Sequence, residues 1–307
     1  MAELTFTLRP RPPFRLDLTV WAIRRRAHNL VDRFDDGVWR RVLIIGKSPG
    51  LIAVRQTRFG ERPEIEVLIS AARPQVMKTE VTAIVTRMLG LDLDLSDFYR
   101  LARDDAHLRK LADHLRGMKP VRYATVFEAF ANAVACQLIS LSAGMHVLNR
   151  LTEAFGIVGD VDNEVRSFPL ATTIARSNPD ALRVLGLSRQ KGEYLIGLAK
   201  LAIDSKDPDF ASIGQLDDDD AIARLLKIRG VGRWTAEYVM LRGFGRINIF
   251  PGDDVGGRNK LFEWLEMTDA PTYDGVSRML ERWHPYGGLI YLHLIVNAVA
   301  DAGHVAT

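Results

Sequence analysis

The sequence predicts an α+β protein, a small antiparallel sheet with helices at the N-terminus followed by a long, mostly α-helical region. Three observations predict it. Short β-rich runs separated by tight-turn residues fill positions 6–71, the hydrophobic period changes from two to three and four after Pro74, and beyond about Asp92 alternation almost vanishes. A chain of 307 residues is long enough for more than one structural unit, and the change of pattern divides it into 1–92 and 93–307.

In order, strands are expected at Leu16–Trp21, Trp39–Ile45, Leu51–Arg55 and Ile65–Ile69, with turns at Asp35-Asp36-Gly37 and Lys47-Ser48-Pro49-Gly50. Val76, Ile84, Val85 and Leu89 then mark a helix that Gly90 ends. Helices are expected at Leu95–Arg103, Ala106–Leu115, Val126–Ser140, Ala143–Phe155, Pro179–Leu185 and Arg189–Asp204. They continue at Asp219–Lys227, Trp234–Phe244, Val255–Trp264, Tyr273–Trp283 and Leu289–Ala302. No repeat at solenoid period and no low-complexity segment interrupts them.

Composition removes several function classes. Apolar residues make up 47% and charged residues 26%, as in ordinary globular proteins. Neither a secretory leader nor an unbroken membrane-length apolar run is seen, so a cytoplasmic protein is expected. Cys136 is the single cysteine, which excludes an internal disulfide and an iron–sulfur cluster. His107, His114, His146 and His293 stand singly, and no Gly-rich nucleotide loop is present, so a cofactor- or metal-dependent small-molecule enzyme is disfavoured. A net charge of +3 says little about a polyanionic partner. Residues 1–62 carry 13 Lys or Arg against 6 Asp or Glu, which reads as a solvated face and not as the DNA contact.

The most informative stretch is Leu225–Tyr238. Asp217–Asp220 in front of it suits a helix N-terminus, where carboxylates meet unpaired N–H groups. Gly230 and Gly232 flank Val231, allowing a sharp reversal into a second helix whose first N–H groups are unobstructed, a natural seat for a phosphate. Trp234 and Tyr238, four apart, share one face of that second helix. Downstream, Asp253 and Asp254 follow Pro251-Gly252 and precede a helix. Taken without the hairpin, the two acids are ordinary helix caps and the aromatic pair is ordinary core.

Together, Gly230-Val231-Gly232-Arg233-Trp234-Thr235-Ala236, Leu241-Arg242-Gly243 and Phe250-Pro251-Gly252-Asp253-Asp254 resemble the helix-hairpin-helix (HhH-GPD) DNA glycosylase superfamily, in its 3-methyladenine DNA glycosylase II, or alkylbase, branch. Weaker similarity includes Cys136–Ser140 and Gly186–Lys191 and runs from about Phe127 to the C-terminus. The resemblance implies two helical lobes with the active-site cleft between them, and activity on double-stranded DNA containing damaged bases. It assigns Asp254 as the catalytic carboxylate and Trp234 and Tyr238 as the pocket that stacks a flipped base. Gln137, Leu138, Gly230, Val231, Gly232, Arg233 and Thr235 would contact DNA, with Leu138 as the wedge that fills the vacated stack. Leu138 reads equally well as one more core leucine of its helix.

Glycosylase-lyases of this superfamily carry a nucleophilic lysine at the position of Trp234, so the resemblance implies a monofunctional hydrolase without cofactor. It also implies a monomer, with a structural sodium or potassium ion held by the hairpin carbonyls of Ile228 and Val231. One carboxylate suffices because a base alkylated on a ring nitrogen is cationic and leaves well. Val255 and Ile295 stand where the family often has aromatic residues, which weakens cation–π attraction and leaves a glycosylase for an oxidised or deaminated base as the alternative. A non-catalytic DNA-binding module is the other, and it would have no need of Asp254.

Overall fold

The computed structural model describes residues 1–159, 164–204, 209–268 and 271–301. Five strands, β1 (Ala2–Leu8), β2 (Arg33–Asp35), β3 (Val38–Ile45), β4 (Ser48–Arg58) and β5 (Glu64–Ala71), form one antiparallel sheet in the order β1-β5-β4-β3-β2. Two-residue turns fix the β2–β3 and β3–β4 registers, pairing Asp35 with Val38 and Ile45 with Ser48. The first is Asp36-Gly37 as expected, but the second is Gly46-Lys47, and Ser48, Pro49 and Gly50, expected in the turn, already pair as the start of β4. Inward residues Val54, Ile65 and Val67 alternate with exposed or half-buried neighbours, as a sheet covered on one face requires, while next to Ile52 and Ile69 the outward Leu51 and Ser70 are buried as well.

Helix α1 (Leu16–Arg24) precedes β2, and α2 (Pro74–Leu89) follows the sheet. Leu16–Trp21 was expected as a strand and is the first turns of α1. Its Leu16, Leu18 and Val20 alternation is incidental, because Thr19, Trp21, Ala22 and Ile23 are buried too and no polar face remains to reveal the helical period. The Thr19 hydroxyl donates to the Arg15 carbonyl, one turn back.

The remainder is helical: α3 (Ser96–Arg103), α4 (Ala106–His114), α5 (Val126–Cys136), α6 (Leu141–Phe155), α7 (Ala171–Ala175), α8 (Pro179–Val184) and α9 (Arg189–Ile203). Then come α10 (Phe210–Ile213), α11 (Asp218–Leu226), α12 (Arg233–Val239), α13 (Val255–Trp264), α14 (Tyr273–Leu280) and α15 (Gly287–Asp301). Most of these fall where hydrophobic period places them. The strands β1 and β2 and the short α7 and α10 were not anticipated, being too brief or too polar to show a period. Of the helix expected at Leu289–Ala302, Ala302 lies outside the described residues.

One predicted helix is divided. Val126–Ser140 stops at Cys136, because Gln137 turns to an extended ψ of 128° and Leu138 takes a φ of +56°. Ser140 starts α6 instead, its hydroxyl accepting the Ala143 N–H at 3.2 Å. The segment expected as Trp234–Phe244 begins at Arg233 and becomes a π-helical turn over Met240–Phe244.

The larger core runs from the sheet through α1–α5 to α12 and α15. A second core, built on Phe127, Leu148, Leu151, Leu182 and Leu195, holds α5–α9 together as a separate lobe. Between them a buried cluster crosses from sheet to helix: Arg41 of β3 donates to Asp32 at 2.9 Å and to Glu128 of α5 at 2.6 Å. Burial opposes the Arg41 charge, but the two carboxylates outweigh it and hold the guanidinium protonated. Among the described residues no helix is long and apolar enough to cross a membrane.

Candidate active site

The hairpin between α11 and α12 has the geometry that its glycines demand. Asp217 caps α11, its carboxylate accepting the Asp220 N–H at 2.8 Å. The Ile228 carbonyl then accepts the Val231 N–H at 3.0 Å, closing the turn. Gly230 lies at φ +87°, and a Cβ there would come within 2.3 Å of the Tyr194 ring, so conformation and space both require glycine. Gly232 precedes α12, where a Cβ would meet nothing and no side chain caps the first turn. The N–H groups that open the Arg233 helix therefore face outward unclaimed by a side-chain cap.

Gln137 ties the loop after α5 to this hairpin. Its Nε2 donates to the Gly230 carbonyl at 3.2 Å and to the Thr235 hydroxyl at 3.0 Å, while its own carbonyl accepts from Lys191 Nζ at 2.7 Å. Burial lowers the Lys191 ammonium below its ordinary pKa. Leu138 is thus held at the tip of an anchored loop, 102% exposed relative to a reference chain, which removes the reading of it as a core leucine. Ile139 beside it is also exposed.

Asp254 stands at the start of α13, where its carbonyl accepts the Arg258 N–H at 2.8 Å, yet its side chain makes no capping bond. Its Oδ2 instead accepts a hydrogen bond from the Tyr291 hydroxyl at 2.6 Å. Burial, reinforced by the Asp254 charge, pushes the Tyr291 phenol well above its ordinary pKa, so it remains a donor. Gly257 permits this approach: a Cβ there would lie 2.5 Å from the Tyr291 ring and 3.1 Å from Asp254 Oδ2.

The turn before Asp254 is held from the hairpin helix. Glu237 of α12 accepts the Gly252 N–H at 3.0 Å and the hydroxyl of Tyr273. Burial raises the Glu237 carboxyl, and burial together with that carboxylate pushes the Tyr273 phenol up to about 12. Arg233 lies over the Tyr273 ring, 4.6 Å from its centroid.

These parts enclose a cleft of about 950 Å³. Asp254, Trp234, Tyr238, Gln137, Leu138, Gly232, Arg233 and Thr235 all line it, as do Val255 and Ile295. Of the other residues singled out in the sequence, Gly230, Val231 and Ile228 sit behind the lining and shape the turn. Trp234 and Tyr238 pack with centroids 5.4 Å apart and planes tilted by 31°, and the Tyr238 hydroxyl is 2.8 Å from that of Tyr123.

Sequence reasoning missed Tyr291, Glu237, Arg25 and Arg242. Arg25 and Arg26 belong to the N-terminal basic excess that was assigned to a solvated face, but both line the cleft. The Arg24-Arg25-Arg26 run was visible; its destination depends on α1 packing against α15, which no local pattern encodes.

Residues 131–285 match the family described as HhH-GPD superfamily base excision DNA repair protein, about half of the chain. The chain belongs to this superfamily. Like other HhH-GPD proteins it is built for base excision from DNA, and curated relatives resemble it along most of its length. A DNA-3-methyladenine glycosylase of Bacillus subtilis is 27% identical over 88% of this chain and 89% of its own. DNA-3-methyladenine glycosylase 2 of Escherichia coli is 26% identical over 94% and 96% respectively. In fold, the chain superimposes on a 3-methyladenine DNA-glycosylase from Archaeoglobus fulgidus with a TM-score of 0.83, covering 96% of this chain and 98% of that one at 22% identity. The HhH-GPD assignment agrees with the α+β architecture and with the hairpin at Gly230–Gly232.

Proposed function

We propose that this HhH-GPD protein is a monofunctional DNA N-glycosylase that hydrolyses the bond between deoxyribose and an alkylated base, leaving an abasic site. The observation that carries the reading is Asp254, a carboxylate released from helix capping and aimed into a cleft walled by Trp234 and Tyr238. The names of its relatives supply the substrate class.

Bond breakage places positive charge on the sugar. Asp254, fixed by Tyr291 through Oδ2, presents a negative charge that needs no reorganisation as that charge develops, and it can accept a proton from an attacking water. The departing base lies against Trp234 and Tyr238. Leu138 enters the stack from the opposite side, and the open first turn of α12 takes a backbone phosphate. Trp234 occupies the hairpin position from which a lysine would attack C1′, which supports hydrolysis over lyase chemistry. A monovalent cation would fit the hairpin as a clamp on its main chain. The Ile228 carbonyl, which accepts the Val231 N–H, and the Val231 carbonyl would hold it, each with a lone pair to offer.

The test is base release from an alkylated duplex by wild type and Asp254→Asn, with strand breakage scored before and after alkali. Breakage only after alkali, slowed about 10²–10³-fold in the variant while DNA binding persists, is the expected result. Breakage without alkali, or covalent trapping of the enzyme on DNA by borohydride through a lysine such as Lys260 of the cleft, would overturn the monofunctional assignment.

A further inference from the structure

Helix α12 is used on two faces. Trp234 and Tyr238, four apart, line the cleft. Arg233 and Glu237, also four apart, both meet Tyr273 of α14. Tyr273 is held at three points: its hydroxyl donates to Glu237 Oε1, its face lies under the Arg233 guanidinium, and its ring edge rests on Gly252, where a Cβ would come within 2.7 Å of it. The other oxygen of Glu237 accepts the Gly252 N–H at 3.0 Å. Gly252 lies inside the turn that the Asp254 N–H closes on the Pro251 carbonyl at 2.9 Å.

Glu237 is 3% exposed and forms no ion pair among the described residues. The charges that bear on it are Arg233, which favours its ionised form, and Asp253, which opposes it. A buried carboxylate is costly, and a neutral side chain of the same shape would fill this place at less cost. What the charge adds is a shorter and stronger hold on two donors, and so a more rigid placement of Gly252. Asp254 has use for that rigidity, because its side chain makes no capping bond and takes its hydrogen bond from Tyr291 of another helix. We propose that Glu237 and Tyr273 are positioning residues that fix the Asp254 carboxylate relative to Trp234 and Tyr238, so that pocket and carboxylate behave as one rigid unit. This rests on the glycosylase reading above. Neither residue lines the cleft, so both act through the turn and not on the DNA.

The experiment measures single-turnover base release from a methylated duplex at saturating enzyme, and in parallel the Kd for a duplex carrying an abasic site. It compares full-length wild type, Glu237→Ala, Glu237→Gln, Tyr273→Phe and Gly252→Ala, and repeats Glu237→Ala and Tyr273→Phe in the Asp254→Asn background. Glu237→Ala is expected to slow release about tenfold to a hundredfold with Kd within about threefold of wild type, since a misplacement of about 1 Å is enough. Glu237→Gln recovers most of that loss, because its amide oxygen still accepts the Gly252 N–H and its NH2 can donate to the Tyr273 oxygen. Tyr273→Phe removes the hydroxyl and Gly252→Ala displaces the ring; each slows release about threefold or more, and these two carry the test if Glu237→Ala folds poorly. In the Asp254→Asn background none of the substitutions slows release further, because no carboxylate is left to place. Wild-type rates in the folded variants, a loss confined to Kd, or a glutamine variant no faster than the alanine one overturns the proposal. Equal slowing with and without Asp254 overturns it too. All of these leave the glycosylase reading intact, whereas no release by wild type defeats that reading and this inference with it.

Discussion

Asp254, Trp234 and Tyr238 come from one stretch of chain, the hairpin and the turn that Glu237 braces, and they reach the cleft through contacts among neighbours in sequence. Arg25 enters from the opposite direction, and its partners Asn132 and Tyr238 lie 107 and 213 residues away along the chain. The first wall is made by local backbone geometry. The second exists only when the sheet, α1 and α5 are docked, so it depends on buried links between distant segments.

The most severe way to break the second wall alone is at Arg41. Arg41→Met would leave the carboxylates of Asp32 and Glu128 buried without their counter-charge, a loss of about 3–5 kcal/mol. Glu128 sits one turn before Asn132 on α5, so the anchor of Arg25 loosens with it. Urea unfolding should show the lowered midpoint. An unchanged midpoint would mean that the sheet and α5 hold their positions without this cluster.

The same contrast accounts for how much could be read from sequence. Gly230, Gly232, Trp234, Tyr238 and Asp254 were legible because turn chemistry, helical spacing and capping are short-range rules, and the structure sets the last four around one cleft with Gly230 shaping the turn behind it. Tyr291 was hidden inside the apolar period of α15, where an aromatic ring looks like core; only folding brings its hydroxyl to Asp254. Leu16–Trp21 was misread because a helix buried on nearly every side has no polar stripe. Arg25 followed the same error, since a strand at 16–21 gives no reason for residue 25 to turn into the cleft. The break after Cys136 did carry a signal in Ser140, a good helix cap, but the apolar run on both sides of it masked the end of α5.

The next largest effect falls on α15, the helix that also carries Tyr291, and is set by pH. His293 of α15 is fully buried against Phe98, with Nδ1 at the Leu289 carbonyl and Nε2 unpartnered. Burial lowers its pKa to about 4, against an ordinary 6.5. The unfolded chain therefore binds the proton more readily, and stability that is complete above pH 6.5 is lost as pH falls toward 4. At about pH 5 the loss would be about 2 kcal/mol. His293→Leu should flatten the slope of the urea midpoint between those values; an equally steep slope in the variant would assign the acid sensitivity to other groups.

Tyr291→Phe probes the Asp254 wall directly and more gently, keeping the ring against Phe250 while removing the hydroxyl from Asp254. A hydrogen bond to a charged acceptor contributes about 1.5–3 kcal/mol, and part of it is recovered by water, so base release should slow about tenfold. Single-turnover rates at saturating enzyme separate this from binding. If the rate is unchanged, the carboxylate is held by the Pro251–Asp254 turn alone.

Leu138 belongs to neither wall, and the smallest stability effect is expected there. Its side chain is fully exposed, so Leu138→Gly removes no buried surface, and glycine adopts the observed φ of +56° without the penalty that a β-carbon brings. The gain is offset in part by the greater freedom of glycine in the unfolded chain, leaving a change within about 1 kcal/mol. A strained, exposed leucine contributes nothing to the folded state that glycine would not supply, so the substitution isolates the wedge role proposed for Leu138 in the complex with DNA. Excision from duplex should therefore fall while excision from a single strand, which has no stack to fill, is unaffected. Equal slowing on both substrates would show that Leu138 shapes the pocket and does not act as a wedge.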